Sequence, residues 1–171
     1  MKQIIVSPLP DMALLTRYRD AKAYTDCYSL EVPHTVALAH YIEAFYTTPL
    51  FKIERFILAA LVRKPSNDTL VHQLANGESA KFAAWSVEAR TEDQILLCDF
   101  MKRTRSWLMC VATSPSTTRL YFGSSIAPER ISVSGQVSLG VGFRLLLGFH
   151  QLYSRALLRS AAQRLRNFQA N

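Results

Sequence analysis

Four apolar segments lie between Phe82 and Ile126, "FAAWSVEAR", "ILLCDFM", "SWLMCVA" and "TRLYFGSSI", and only "TEDQ", "KRTR" and "TSPST" separate them. Connections this short join antiparallel neighbours, because a parallel crossover needs about a dozen residues or more. The stretch therefore predicts a β-meander, and the rest of the chain must supply what covers it.

The upstream chain changes period twice. "YTDCYSLEV" alternates, with Tyr24, Asp26, Tyr28, Leu30 and Val32 on one side, and reads as a first strand after an irregular segment over residues 1–22. From Pro33 the residues Val36, Ala37, His40, Tyr41, Ala44 and Phe45 recur at helical spacing. Thr48 and Pro49 then supply an N-cap and a first-turn proline for a second helix running to about Arg63, with Leu50, Ile53, Phe56, Ile57, Ala60 and Leu61 on its buried face. A short helix is expected from Ser66 or Asn67, stopped at Gly77. After the meander a further strand is expected near Arg130 to Val137, and one long helix from about Gly140 to Phe168. At about 28 residues that helix would reach roughly 42 Å, enough to lie across a sheet of four or five strands.

Loops at "TEDQ" and "KRTR" fix a pairing on paper. Ala89 meets Leu96, Val87 meets Cys98 and Trp85 meets Phe100; in the next hairpin Phe100 meets Trp107, Cys98 meets Met109 and Leu96 meets Val111. Trp85, Val87, Leu96, Cys98, Phe100, Trp107, Met109 and Val111 would then share a face, with Leu97, Asp99, Leu108 and Cys110 opposite. Cys98 and Asp99 point apart in any regular register and cannot form a catalytic pair. The aromatic face is either plain core or the wall of a binding pocket made by Trp85, Phe100, Trp107 and Met109.

In the long helix Phe143, Leu146, Leu147, His150, Tyr153, Leu157, Ala161, Leu165 and Phe168 form one apolar arc, with Arg144, Arg155, Arg159 and Arg166 on the back. His150 is either a core histidine satisfied by a hydrogen bond or a polar group that orients a ligand beside Tyr153. With no acid partner visible in the sequence, it is a bare candidate for acid-base catalysis.

Composition removes several other classes. Cys27, Cys98 and Cys110 are odd in number and fit neither a disulfide framework nor a CxxC pair, so they read as buried free thiols. His34, His40, His72 and His150 have no HxxxH or HExxH spacing, and no metal or cofactor is expected. The net charge of +7 is local: residues 1–139 hold 15 Lys and Arg against all 13 Asp and Glu, and the remaining five arginines lie beyond residue 140. No specific nucleic-acid partner is expected from this distribution; the arginine stripe is either a solvated helix back or a surface for phosphates or anionic membrane. "FILAALV" is the longest apolar run, far short of the roughly 20 residues of a helical span, and Pro8 and Pro10 interrupt the N-terminus where a signal peptide would be apolar. A single cytoplasmic domain over residues 1–171 is the expectation.

The order of elements, strand, two helices, meander, long helix, resembles the helix-grip fold of the START-like superfamily, also called SRPBCC or birch-pollen-allergen-like. "AYTDCYSLEVP", "GESAKFAAWSVEARTEDQILLCD", "RSWLMCVA" and "FHQLYSRALLRSAAQRL" are similar to a bacterial family in it, with Gly77, Glu92, Asp93 and His150 at the matching positions. The resemblance implies an α+β chain in which an antiparallel sheet wraps around the C-terminal helix. It also implies a cavity between the two for a small hydrophobic or aromatic molecule such as a lipid, sterol or polyketide. Trp85, Phe100, Trp107, Met109, His150 and Tyr153 are the expected contacts. Some superfamily members are cyclases or hydroxylase components, so a cyclase or dehydratase using His150 is the alternative, but no catalytic set is shared that could be carried over. The metal ligands of the Rieske-type members are missing from this chain.

Overall fold

The computed structural model describes residues 3–53, 67–126 and 141–169, with side chains from residue 150 to 167 in the last of these. It is an α+β structure built on an open sheet of seven antiparallel strands in the order β1-β2-β7-β6-β5-β4-β3. These are β1 (Ile5–Val6), β2 (Tyr24–Val32), β3 (Lys81–Phe82), β4 (Trp85–Arg90), β5 (Gln94–Asp99), β6 (Thr104–Ser114) and β7 (Thr117–Ile126). The helices are α1 (Thr16–Asp20), α2 (Leu38–Tyr46), α3 (Asp68–Ala75) and α4 (Val141–Gln169). Among the described residues no helix is long and apolar enough to cross a membrane.

The expected meander forms, and β2 closes against β7 over nine residue pairs from Tyr24↔Ile126 to Val32↔Thr118. Helical structure follows β2 as the changed period requires, in α2 and again at residues 49–53, where Thr48 Oγ1 accepts from the Phe51 amide at 3.1 Å. Asn67 caps α3, its side chain accepting from the Leu70 amide, and Gly77 ends that region at φ +78°, a conformation open to glycine at little cost. The rest of the expected helix to Arg63, the strand near Arg130 to Val137, the side chains of Phe143, Arg144, Leu146, Leu147 and Phe168, and Asn171 lie outside the described residues.

Three local features alter the register expected from the loops. "FAAWSVEAR" is two strands, because Ala83 turns at φ +51° and folds Lys81 and Phe82 back onto Ser86 and Trp85. β4 keeps Arg90↔Ile95 and Ala89↔Leu96, then bulges, so that Val87 faces Leu97 and Trp85 faces Asp99. An extra residue in one strand reverses the alternation beyond it, which puts Val87 and Ala89 on opposite faces. Finally, the turn after β5 occupies residues 100–103, because Asp99 Oδ1 accepts from the Arg103 and Thr104 amides at 2.7 and 3.1 Å and Lys102 takes φ +59°. Leu96 thus pairs with Trp107 and Cys98 with Arg105.

The sheet is buried on both faces. One carries Tyr28, Leu30, Val32, Ile95, Leu97, Leu108, Cys110, Leu120 and Phe122, and packs with α2, α3 and α4. The other carries Cys27, Leu96, Trp107 and Met109, covered by Ala13 and Leu15 of the N-terminal segment with Leu9, Leu14 and Tyr18 around them. Gln94, 4% exposed, fastens that cover: Oε1 accepts from the Leu14 amide at 2.8 Å and from Trp107 Nε1 at 2.9 Å, and Nε2 donates to the Met12 carbonyl at 3.1 Å. Glu88, at the bulge, takes Arg17 and Tyr18 of α1 and Arg105 of β6. Gly123 is the point of closest approach: a Cβ there would lie 2.7 Å from the Asp26 carbonyl, 3.0 Å from the Trp107 ring and 3.1 Å from Leu15.

Candidate ligand cavity

Where α4 crosses the open end of the β6 and β7 hairpin, the described residues line a cavity of about 220 Å³. Phe45, Phe51, Trp85, Phe122, Tyr153 and Leu157 give it an apolar wall, while Arg105, Ser106, Ser124, His150 and Ser154 add polar groups. The wall follows from two periodicities. Ser106, Phe122 and Ser124 share the helix-side face of their strands, and His150, Tyr153, Ser154 and Leu157 recur at three and four residues along one side of α4.

His150 has the acid partner that no local motif revealed. Asp26 of β2, its side chain 7% exposed, receives the Ser124 amide at 2.9 Å and the Ser124 hydroxyl at 2.7 Å, both on Oδ1. The Ser124 hydroxyl oxygen lies 2.7 Å from His150 Nε2, and Asp26 Oδ2 is 3.5 Å from the same nitrogen. Since the serine proton goes to Asp26, the oxygen accepts from the imidazole, which places a proton on Nε2 and leaves Nδ1 as the acceptor of the neutral ring. A buried carboxylate is costly unless compensated, and here the serine and the histidine edge supply the compensation. The order is aspartate, serine, histidine, with serine in the middle and its proton committed, so Ser124 is not arranged as a nucleophile. Asp26 also raises Tyr24, though burial is the larger cause.

Buried side-chain atoms along this wall have no hydrogen-bond partner among the described residues. They include Trp85 Nε1 and the hydroxyl of Ser154, a residue with no exposed surface, and Asp26 Oδ2 beneath them is likewise unpartnered by a hydrogen bond. Ser106 Oγ, also in the lining, is satisfied, 3.1 Å from the Tyr46 hydroxyl.

Of the six contacts expected from the sequence, the structure brings Trp85, His150 and Tyr153 to the cavity. It does not bring the other three. Trp107 and Met109 lie on the opposite face under the N-terminal segment, and Phe100 stands in the β5 to β6 turn, 52% exposed. The face assignment failed because both faces of β5 and β6 are apolar, so alternation separates the two sets without saying which one meets α4. Phe45 and Leu157, expected on helix core faces, take their place together with Phe51 and Phe122, which the sequence does not single out. Asp26 carried a usable signal, being the one acid among the inward residues Tyr24, Tyr28, Leu30 and Val32.

The thiols are chemically quiet. Cys27, Cys98 and Cys110 are free and buried, burial with the Asp26 charge pushes Cys27 up to about 12, and burial with Asp93 pushes Cys110 up to about 11. On α4, Arg155, Arg159 and Arg166 are exposed, but Arg155 does not stand on the back of the helix: its guanidinium is 5.3 Å from the ring centroid of Tyr28, on the sheet face that α4 covers. Comparison with family models, with curated proteins and with solved structures gives no match to this chain.

Proposed function

We propose that this protein binds a small, largely apolar molecule in the cavity between the sheet and α4, and that its fold is of the helix-grip type. The cavity itself is the observation that carries the reading: about 220 Å³ of space with an aromatic wall and buried polar atoms left without partners. Packed cores leave few voids above the size of a water, and buried polar atoms are nearly always paired, so the two departures together support the reading of a ligand site. Size restricts the ligand. A cavity of about 150 Å³ holds benzene, and drug-sized ligands need about 300 Å³ or more, which favours one substituted ring over a sterol or a long acyl chain.

The test is displacement of an apolar dye by a graded series of aromatic compounds, followed by native mass spectrometry. One-ring compounds should displace the dye, sterols should not, and Leu157→Trp, which fills the cavity from α4, should abolish uptake. A wild-type protein that takes up neither dye nor any member of the series would overturn the reading. The Asp26, Ser124 and His150 chain favours a second reading, an enzyme of cyclase or dehydratase type with His150 as acid or base; it requires His150→Gln to remove turnover while leaving the melting temperature near normal.

A further inference from the structure

The polar end of the cavity is specific enough to name what the ligand carries there. Three lining residues carry a donor with no described partner, Trp85 Nε1 and the hydroxyls of Ser125 and Ser154; strand alternation turns the Ser125 side chain away from the helix-side face that carries Ser106 and Ser124, which leaves Trp85 and Ser154 beside one acceptor, the Nδ1 of a His150 whose other nitrogen is engaged by Ser124. A hydroxyl oxygen is the complement of that set, since it accepts two hydrogen bonds and donates one. An ether or carbonyl would leave Nδ1 without a proton, and an ammonium would leave both donors facing a cation.

We propose that the ligand is a single-ring phenol, its ring against Phe45, Phe122 and Tyr153, its hydroxyl donating to His150 Nδ1 and accepting from Ser154 and Trp85. This rests on the cavity being a ligand site. A phenol is a stronger donor than an aliphatic alcohol, and the groups around His150 suit a strong donor. From β2, Asp26 stands 3.5 Å behind Nε2 and supports the proton held on that nitrogen, with the Tyr24 phenol beside it. From β6, Arg105 is already paired with Glu88 at 3.1 Å, so it does not cancel that support; on α4 itself Tyr153 and Arg155 are the nearest titratable neighbours in sequence. His150 and Ser154 are one helical turn apart and present their polar atoms to the same wall.

Isothermal titration with para-cresol and with para-methylanisole separates the parts of this proposal. The second carries a methyl group where the first carries the phenolic proton, and cresol should bind about tenfold more tightly, because the ether has no proton for Nδ1. His150→Leu should bring the ratio close to one. Ser154→Ala should weaken both ligands to a similar extent, since both oxygens accept, and it removes only an unpartnered hydroxyl from the free protein. Equal binding of the two by the wild type would overturn the phenol proposal and leave the cavity reading standing. Binding of neither would overturn both. The wild-type ratio needs no variant, so a His150→Leu chain that fails to fold does not remove the test.

Discussion

The two faces of the sheet carry one tryptophan each, and the two are treated in opposite ways. Trp107 is fully buried, its indole N–H donates to Gln94, and its ring closes over Gly123 against Leu15. Trp85 is only partly buried, borders a cavity, and keeps an indole N–H with no described partner. One face is thus finished as structure, and the other is left unfinished where α4 crosses it. Under the proposed ligand reading, the aromatic cluster to associate with binding is the looser, less satisfied one. A fully packed and fully bonded aromatic residue has nothing left to offer a ligand.

If that contrast is real, the largest loss of stability belongs to the finished face. Trp107→Ala should cost about 4 kcal/mol, the scale for truncating a buried aromatic, measured by urea unfolding. It also strands Gln94 Oε1 with one donor fewer. A loss below about 1 kcal/mol would mean that the N-terminal segment is not closed over a real core. Next comes the fastening itself. Gln94→Leu leaves the Leu14 amide, the Met12 carbonyl and Trp107 Nε1 without their partner, and should cost about 2 kcal/mol. Limited proteolysis should then cut first within residues 3–22, while ligand binding on the far side of the sheet persists.

A smaller effect is expected from Glu88. Burial alone would raise its carboxyl, but hydrogen bonds from Tyr18 and Arg105 and the charges of Arg17 and Arg105 outweigh burial and hold it below its ordinary 4.5. A carboxyl depressed in the folded state stabilises fully above its unfolded value, and that contribution is lost as the pH falls through the lower folded value. Acid unfolding of the N-terminal cover should therefore set in below pH 4.5, and Glu88→Gln should flatten this part of the profile at a cost of about 1 kcal/mol at neutral pH. Unchanged acid sensitivity in Glu88→Gln would assign it to another carboxyl.

Much of this architecture can be read from the chain, and what cannot has specific physical causes. The α4 helix, the α3 cap at Asn67, the antiparallel meander and the inward side of β2 follow from period and turn chemistry. The bulge at Glu88 does not, because one extra residue leaves no mark in composition, yet it reverses Trp85 and Val87 relative to Ala89. The face error has a readable antidote. "ILLC" is an unbroken apolar run, the pattern of a strand covered on both sides, and it implies a second cover, which the N-terminal segment provides. The polar end of the cavity was partly legible: His150 stood out, while Ser124 and Asp26 reach it through strand pairing 98 residues apart in the chain.

The smallest effect is the most diagnostic. Trp85→Phe keeps an aromatic wall and deletes an N–H that bonds to no described residue, so the free protein should change by no more than about 1 kcal/mol. Phenylalanine at position 107 must cost more, because that substitution removes a made hydrogen bond and leaves a gap beside Gly123. The sharper contrast is in binding. An N–H held in reserve for a ligand contributes only when the ligand is present, so Trp85→Phe should weaken a bound phenol several-fold while barely moving the unfolding midpoint. Equal stability costs at the two positions would mean that Trp85 is as fully built into the core as Trp107. The distinction between a finished and an unfinished face would then fail where it is easiest to measure.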